Sequence, residues 1–350
     1  MPVEISAGRM EESATPGSIN SSGEDEMETL FNSPDKFKSK FVTADGYKTH
    51  YLEAGREDAD RLLLVHGGAC EIGMGCYRWY PNVIPLSKHF HLFAIDELGH
   101  GETDPPRNLE DLGHVRVRAE HVIKFIETLR LAPIHLAGQS QGGWIVTYIT
   151  LKRPDLIKKL ILIDSGSASG STLKTAPGDP DHVEVDGVKV PVGSGELPYM
   201  KEIFEPGTML PKEGLTTTRE GIRKYVGSFF YNKSMLTEEF LDHLMELSKK
   251  WNKLYMTYKG KEFWSKHTVQ QHHEMYYFDG MHIRDQIKNI RIPTLVIWGK
   301  NSNKGLEPGV IAYKRIPGAQ MHIFDKANHF LWLDQWKDFN SLVTWFLTKE

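Results

Sequence analysis

The most informative segment of the sequence is Ile134-His135-Leu136-Ala137-Gly138-Gln139-Ser140-Gln141-Gly142-Gly143. Its first four residues are mainly apolar, as in a buried strand, and a helical pattern follows directly. A Gly-x-Ser-x-Gly pattern between a strand and a helix is typical of a nucleophile elbow, because the glycines permit a tight, strained turn. Such a turn would present the hydroxyl of Ser140 at a helix N-terminus, which favours developing negative charge. We therefore predict that Ser140 is a catalytic nucleophile, with an ordinary glycine-flanked turn as the alternative.

Apolar runs before and after this stretch predict the other strands of a sheet. The first two candidates, Phe41–Thr43 and His50–Leu52, flank an Asp-Gly turn and predict an antiparallel hairpin. Helical periodicity appears between the later runs, at 115–130 and at 337–347. Because strands alternate with helices, we predict an α/β fold with a mainly parallel sheet flanked by helices. The later runs are Leu62–Val65, His91–Ile95, Leu160–Ile163, Thr294–Trp298 and Met321–Phe324.

One long interval, residues 165–290, breaks the alternation of strands and helices. Its first part is rich in Gly, Pro, Ser and Thr, and its second part has amphipathic patterns such as Thr237–Trp251. We predict a mostly helical cap, inserted after the sixth strand and covering the edge where open α/β sheets bind ligands. The catalytic core would then consist of two segments, residues 36–164 and 291–350.

The composition excludes several classes of protein. The chain has 350 residues, and 42 Lys plus Arg against 46 Asp plus Glu give a net charge of −4. Without basic runs this charge argues against nucleic acid as a partner, and no apolar stretch is long enough for a membrane helix. Two cysteines cannot form a disulfide scaffold, so we expect a reducing, cytoplasmic setting. The expected partner is a small-molecule substrate, and the sequence does not indicate an oligomeric state.

The N-terminal residues 1–35 differ in composition from the rest of the chain. They are rich in Ser, Gly, Glu and Pro and poor in apolar residues. Such a segment cannot bury enough apolar surface to offset the entropy of ordering, so we predict a disordered tail. The segment also lacks the basic start and apolar core of a secretory signal, which agrees with the cytoplasmic expectation.

A serine nucleophile needs a base, and His329 is the best-placed histidine. It follows the strand-like run Met321–Phe324 and comes last in the chain order serine, acid, histidine. The adjacent His272 and His273 belong to the predicted cap and lack metal-ligand spacing. His243 lies on a helical pattern, where a structural or solvent-facing role is the simpler interpretation.

The serine chemistry also needs two backbone N–H groups for an oxyanion. One should come from Gln141, directly after the nucleophile. The other should come from Gly68 or Ala69, in the loop after the Leu62–Val65 strand. Glycines there can also simply shape the exit from the strand, and the two interpretations are compatible. The two cysteines near this loop, Cys70 and Cys76, are interpreted as bystanders.

Several of these motifs together resemble the α/β-hydrolase superfamily. They are His66-Gly67-Gly68, the segment Asp96–Asp104, the elbow at Ser140 and the histidine at 329. The likeness runs from about residue 40 to the end of the chain. Two further stretches, residues 230–241 and 324–329, resemble the meta-cleavage-product hydrolases, which split carbon–carbon bonds in vinylogous diketo acids. The resemblance implies an α/β-hydrolase sheet and a serine and a histidine as the reacting pair.

Two departures from the family pattern concern the site itself. The superfamily usually carries its acid shortly after the position of Gly299, where this sequence has Lys300-Asn301-Ser302-Asn303. An amide there cannot stabilise an imidazolium by charge. The carbon–carbon hydrolases also hold the substrate carboxylate with a cap arginine, which is missing from Asp242–Met245. Candidate substitutes for that arginine are Arg223, Lys249 and Lys250.

Asp164 is the candidate replacement for the missing acid. It ends the Leu160–Ile163 strand, and this arrangement resembles the haloalkane dehalogenases, whose acid stands at the end of the corresponding strand. The end of this strand faces the same cleft, so the carboxylate could reach Nδ1 of His329. The alternative is an aspartate that caps the following turn. The dehalogenase nucleophile is an aspartate, so Ser140 argues against dehalogenation.

The sequence therefore predicts a serine hydrolase that cleaves an ester or a carbon–carbon bond of a small carbonyl substrate. Neither a cofactor nor a metal is expected. A lyase or cofactor-free oxygenase on the same fold, or a non-catalytic ligand receptor, are the alternatives. An aromatic-rich cap suggests an apolar or aromatic substrate, although these residues would pack a cap core equally well. They are Phe229, Phe230, Tyr231, Trp251, Tyr255, Trp264, Tyr276 and Tyr277.

Overall fold

The computed structural model describes most of the chain, including the sheet, its helices and part of the inserted segment. The described residues are 27–68, 72–108, 111–112, 114–166, 182–185, 188–191, 202–203, 205, 211–260, 277–279 and 281–349. Some predictions fall outside these residues, and they concern positions 1–26, Ala69, Cys70, Trp264, His272, His273 and Tyr276.

The strands build one large sheet and two small hairpins. In chain order they are β1 (Lys38–Ala44), β2 (Tyr47–Ala54), β3 (Arg61–Val65), β4 (His91–Ile95), β5 (Ile134–Gln139), β6 (Ile157–Ile163), β7 (His182–Val185), β8 (Val188–Pro191), β9 (Tyr277–Phe278), β10 (Met281–His282), β11 (Thr294–Gly299) and β12 (Gln320–Phe324). Within the described residues, the large sheet has the order β1-β2-β4-β3-β5-β6-β11-β12. Its neighbours are parallel from β4 to β12, whereas β2 is antiparallel to both β1 and β4. The predicted fold class, with a mainly parallel sheet, is confirmed.

Helices cover both faces of the sheet. In chain order they are α1 (Val83–Ser87), α2 (Val115–Thr128), α3 (Gln141–Lys152), α4 (Arg219–Gly227), α5 (Glu238–Gly260), α6 (Ile283–Gln286), α7 (Glu307–Arg315), α8 (Leu331–Asp334) and α9 (Trp336–Thr348). Short 3-10 turns lie at Pro34–Lys36, Cys76–Trp79, Pro154–Leu156, Lys233–Met235 and Ile287–Asn289. Of the helices described, none combines the length and the apolar character that crossing a membrane would require.

The central strands are buried on both faces, as their continuous apolar runs predict. In β3, Leu62 and Leu64 belong to one apolar cluster, and Leu63 and Val65 belong to another on the opposite face. This alternation follows from the two-residue period of a strand. One cluster includes side chains of α1 and α9, and the other includes side chains of α2 and α3. The sheet therefore separates two cores and is shielded from solvent by helices on each side.

The first hairpin forms at the predicted Asp-Gly turn. Asp45 and Gly46 have φ values of 52° and 76°, and Ala44 pairs with Tyr47 across the turn. A two-residue loop with positive φ at both positions matches the right-handed twist of the flanking strands. The local sequence is therefore sufficient to set the register of β1 and β2.

A segment follows the sixth strand, as predicted, and it is mostly helical where the structure describes it. It lies between β6 and β11 and contains α4 and the long helix α5, which extends beyond the predicted end at residue 251. Two short hairpins, β7–β8 and β9–β10, accompany these helices. The α5 side chains Phe240, Leu241 and Leu244 are buried in the same apolar cluster as β3 residues. The exact cap boundaries at 165 and 290 stay a prediction.

The disordered tail predicted for residues 1–35 is too long at its C-terminal end. Leu30 is only 2% exposed, and its backbone N–H donates to the carbonyl oxygen of Tyr80. The Phe31 ring packs at 5.7 Å from the ring of Tyr80 and at 6.3 Å from that of Phe240. Composition averaged over the segment hides these two apolar residues, which are enough to anchor 27–35 on the core.

Candidate active site

The predicted elbow is present at the junction of β5 and α3. Ser140 has a φ of 52°, directly after β5 and at the N-cap position of α3. The neighbouring Gly142 lies so close to the backbone of Val65 and His66 that a Cβ there would overlap their carbonyl oxygens. Only glycine permits this approach of the helix to β3. The turn therefore has the geometry predicted for a nucleophile elbow, with Ser140 between the end of β5 and the start of α3.

Two further predicted residues, Asp164 and His329, meet at this edge. His329 Nδ1 lies 2.6 Å from Asp164 Oδ1, and the two residues are only 4% and 1% exposed. Asp164 follows β6 with a φ of 42°, which turns its carboxylate toward the histidine. Burial lowers the pKa of His329 below its usual range, and the Asp164 carboxylate acts in the opposite direction. At neutral pH the imidazole is therefore uncharged and can accept a proton.

The loop in which the family usually carries its acid donates hydrogen bonds to Asp164 in this protein. Ser302, in the loop after β11, donates its hydroxyl to Asp164 Oδ1 at 2.9 Å. The backbone N–H of Gly299 donates to Asp164 Oδ2 at 3.3 Å. The sequence showed only that an acid was absent here. A hydroxyl at this position can stabilise the carboxylate of the neighbouring strand end.

Sequence reasoning missed Gln139, which contacts the histidine directly. Its Nε2 lies 3.2 Å from His329 Nε2, and its Oε1 accepts a hydrogen bond from Arg78 Nη1 at 3.0 Å. Because the arginine only donates, the amide nitrogen of Gln139 must face the imidazole. His329 Nε2 is then the acceptor and Nδ1 carries the proton toward Asp164. This is the tautomer that a general base needs. The feature of the sequence that could have indicated Gln139 is its place in the Gly-x-Ser-x-Gly pattern, directly before the serine.

Arg78 is the second residue that sequence reasoning missed. Its guanidinium is buried and donates from Nη2 to the carbonyl oxygens of Gly68 and Met74, at 2.6 and 2.8 Å. Gly68 also lies against the Gln141 side chain, since a Cβ added to Gly68 would meet it at 3.1 Å. The loop after β3 is therefore close to the first turn of α3. The two predicted sources of oxyanion N–H groups, Gln141 and Gly68, are neighbours.

A comparison with protein families places this arrangement in a known fold. Residues 60–335 match the family described as alpha/beta hydrolase fold, which is well over half of the chain. The chain belongs to the alpha/beta hydrolase fold family. The predicted hydrolase and the predicted superfamily are thereby confirmed.

Over most of its length this hydrolase is also similar to individual curated and solved hydrolases. It is 25% identical over 330 residues to a 2-hydroxy-6-oxononadienedioate/2-hydroxy-6-oxononatrienedioate hydrolase of Cupriavidus pinatubonensis, covering 88% of this chain and 95% of that protein. It is 23% identical over 321 residues to a carboxylesterase of Bacillus subtilis, covering 90% and 89%. A solved meta-cleavage product hydrolase from Pseudomonas fluorescens has a TM-score of 0.62 at 20% identity, covering 88% of this chain and 97% of that one. The predicted resemblance to meta-cleavage-product hydrolases is confirmed, and the solved structure supports the fold alone.

Aromatic side chains of the inserted segment lie beside the histidine of this hydrolase. The ring of Phe229 is 5.7 Å from that of His329 and stacks on Phe330 at 5.3 Å. Trp251 and Tyr255 instead bond through Nε1 and Oη to backbone carbonyls of the loop after β4, at 2.7 and 3.0 Å. The aromatic residues predicted for the cap therefore fall into two groups with different contacts. Phe229 lies next to the imidazole, whereas the two α5 residues attach that helix to the core.

The three candidate substitutes for the family's cap arginine are ion-paired elsewhere. Arg223 pairs with Glu238 at 2.7 Å, Lys249 pairs with Glu246 at 2.6 Å, and Lys250 pairs with Glu102 at 3.0 Å. These pairs are solvent-exposed and individually weak. In this arrangement each of the three cations lies against a surface carboxylate.

Two buried groups contain residue types that bind metals, and in each of them several of these residues already have hydrogen-bond partners within the protein. In the first, Asp96 bonds to His50 Nδ1 at 2.6 Å and to the backbone N–H of Cys76. Burial raises the pKa of the Cys76 thiol, and Asp96 acts in the same direction, so the sulfur stays protonated. In the second, His66 donates from Nδ1 to the Gly67 carbonyl and accepts the Glu97 N–H at Nε2. We therefore propose a metal site at neither group.

Proposed function

We propose that this alpha/beta hydrolase is a serine hydrolase that acts on a small carbonyl substrate with an apolar or aromatic group. The observation that carries the proposal is the buried 2.6 Å contact between His329 Nδ1 and Asp164 Oδ1, at the edge where Ser140 forms its elbow. Serine, histidine and acid in these positions are the components of a catalytic triad. The proposed reaction needs neither a metal nor a cofactor.

The proposed reaction begins with attack of Ser140 Oγ on the substrate carbonyl. His329 Nε2 takes the hydroxyl proton and later returns it to the leaving group. For this step Nε2 must exchange its hydrogen bond with Gln139 for one with Ser140. The Asp164 carboxylate stabilises the imidazolium that forms, and a water molecule activated by the same imidazole then releases the acyl group.

The negative charge on the tetrahedral intermediate needs preorganised donors. The N–H of Gln141 belongs to the first turn of α3, where backbone N–H groups have no partner within the helix. The second donor is the N–H of Gly68 or of Ala69, in the loop that Arg78 holds through the Gly68 carbonyl. The α3 N-terminus adds a favourable dipole at the same point.

An ester is the substrate class that the site supports best. The cap arginine that holds the substrate carboxylate in the carbon–carbon hydrolases is missing, and its candidate substitutes Arg223, Lys249 and Lys250 each pair with a surface carboxylate. Phe229 supplies an apolar surface beside His329, which suits an apolar or aromatic acyl group. Carbon–carbon cleavage is the second candidate, and it is supported by similarity to the dienedioate hydrolase over 88% of the chain.

A fluorophosphonate probe tests the serine chemistry, because it phosphonylates only an activated serine. We expect the wild-type protein to be labelled and the Ser140→Ala variant to stay unlabelled. Labelling that persists in Ser140→Ala would assign the reaction to another residue. A folded wild-type protein without label would instead favour a lyase, an oxygenase or a ligand receptor on the same fold.

A parallel substrate screen separates the two candidate reactions. Short p-nitrophenyl esters are compared with 2-hydroxy-6-oxo dienoates, using Ser140→Ala as the blank. We expect a higher kcat/KM for the esters. A higher kcat/KM for the dienoates would favour carbon–carbon cleavage. It would also mean that a cation of the protein binds the dienoate carboxylate.

A further inference from the structure

A buried ion pair lies next to Gln141, whose backbone N–H is one of the proposed oxyanion donors. Arg118, on α2, places Nε 2.8 Å from Glu97 Oε2, in the loop after β4. The two side chains are 1% and 0% exposed. Burial raises the pKa of Glu97 to about 7, with Arg118 and Arg78 acting in the opposite direction. Charged groups are rarely removed from water to this extent without a structural or functional reason.

The arginine of this pair also reaches the nucleophile elbow. Its Nη1 donates to Gln141 Oε1 at 3.0 Å, so the guanidinium joins Glu97 to the first residue of α3. Gln141 is only half-buried, and a free glutamine side chain at such a position would sample several rotamers. The bond to Arg118 selects one of them.

The selected rotamer places the Gln141 amide against the loop after β3. A Cβ built on Gly68 would meet Gln141 Cδ and Oε1 at 3.1 Å and Nε2 at 3.2 Å. The side chain therefore fills the space between α3 and Gly68. It can set the separation of the two backbone segments that supply the oxyanion N–H groups.

We propose that Arg118 is a positioning residue that holds the Gln141 side chain against Gly68 and thereby fixes the geometry of the oxyanion hole. Glu97 keeps the guanidinium in place through the 2.8 Å contact of its Oε2 with Arg118 Nε. The inference rests on the proposed serine hydrolase activity and assigns a role in it to residues that touch neither substrate nor Ser140. Oxyanion donors act through preorganisation, so a small loosening of their spacing lowers the rate.

Two variants remove the contact in different ways. Gln141→Met keeps the length of the side chain and the backbone N–H but loses the acceptor for Arg118. The double variant Glu97→Gln/Arg118→Met removes the arginine and neutralises its partner, so that no unpaired charge stays buried. Arg116→Met is the matched control, because Arg116 lies on the same helix with an exposed side chain. If the double variant fails to fold, Gln141→Met carries the test.

The first readout is the rate of fluorophosphonate labelling at Ser140. We expect both variants to be labelled roughly tenfold more slowly than the wild type, and the control to stay within about twofold of it. With p-nitrophenyl butyrate we expect the loss in kcat, with KM changed by less than about twofold, because oxyanion contacts strengthen only in the transition state. An unfolded fraction of enzyme would also lower the apparent kcat, so kcat is expressed per serine titrated by the fluorophosphonate probe.

The second readout is a mutant cycle that combines Gln141→Met with the double variant. If both variants remove the same contact, combining them should cause no further loss of labelling rate. Wild-type labelling rates in the variants, or fully additive losses, would overturn the positioning role while leaving the serine mechanism intact. An unlabelled wild-type protein would remove the proposed serine mechanism, and the positioning role with it.

Discussion

At the scale of single residues, the proposed acid Asp164 lies at the end of a strand next to the one that usually carries the acid in this family. Asp164 follows β6 and Ser302 follows β11, and these two strands are parallel neighbours. Their ends therefore meet at one edge of the sheet, and Ser302 can donate to the carboxylate that His329 contacts. Asp164 therefore supplies the negative charge of the proposed triad, and the usual position of the family acid carries the Ser302 hydroxyl.

Substitution of Asp164 tests this division of roles. Asp164→Asn should lower kcat by about 10⁴-fold, because an amide neither fixes the tautomer of His329 nor stabilises the imidazolium. Ser302→Ala should lower kcat by about tenfold at most, since it removes one hydrogen bond to the carboxylate. Asn301→Ala is the control, because the side chain of Asn301 is exposed. Equal, small effects in all three variants would exclude Asp164 from the triad.

The pH dependence of the reaction reports on His329. Burial lowers its pKa from the usual value of 6.5, although Asp164 opposes the shift. The base must be neutral, so a lowered pKa preserves activity as the pH falls through 6.5. We expect kcat/KM to fall only below pH 6.5, as the imidazole becomes protonated. A pH–rate profile with its acidic midpoint above 6.5 would contradict this assignment.

At the scale of elements, the approach of α3 to β3 is what makes the elbow possible. Gly142 packs against the backbone carbonyls at the end of β3, and no side chain fits between them. The N-terminus of α3 is therefore held at a fixed distance from the loop that carries Gly68. The glycines of the motif thus serve packing between two elements, in addition to the turn itself.

A pair of glycine substitutions measures this constraint. Gly142→Ala should lower the free energy of unfolding by about 2 kcal/mol or more, because its methyl group would overlap the carbonyl oxygens of Val65 and His66. Gly227→Ala, at the end of α4, should change it by less than about 1 kcal/mol and can stabilise the helix. A Cβ at Gly227 would meet only Leu236, at 3.9 Å. Urea denaturation provides the measurement, and equal effects at the two positions would contradict the packing argument.

At the scale of the whole molecule, one carboxylate joins the inserted segment to the His329 loop. The buried Asp334 accepts the backbone N–H groups of Tyr231 and Asn232, with closest distances of 3.0 and 2.8 Å. It also accepts the N–H of Asn328, at 2.8 Å. The residue before the histidine and the chain before α5 are thereby fixed to each other. The position of the proposed base depends on the insertion as well as on the sheet.

Asp334→Asn tests this connection. The new amide would present a donor to backbone N–H groups, so we expect a loss of about 2 kcal/mol in the free energy of unfolding. Asp338→Asn is the matched control, because its side chain is exposed in the first turn of α9 and should contribute about 0.5 kcal/mol. Thermal and urea unfolding measure both variants. A loss at Asp334 no larger than that at Asp338 would show that the carboxylate does not join the two segments.

Features that depend only on residues close together in the chain could be predicted from the sequence. The central strands of the described sheet were predicted from apolar runs, because a strand buried on both faces needs continuous apolar residues. The Asp45-Gly46 turn and the elbow at Ser140 followed from local backbone requirements. The tail was predicted too long because Leu30 gains its burial from Tyr80, which is distant in the chain.

Spacing and apolar pattern along the chain specify the α/β class, the strand–turn–helix around Ser140 and the place of His329 after the last strand. The contact of Asp164 with His329, its support by Ser302 and the bonds from Arg78 and Arg118 to the two glutamines beside Ser140 arise only in the folded protein. Those contacts join residues from different strand ends, helices and loops. Their distances depend on which ends meet at the sheet edge, and no local pattern in the chain encodes that.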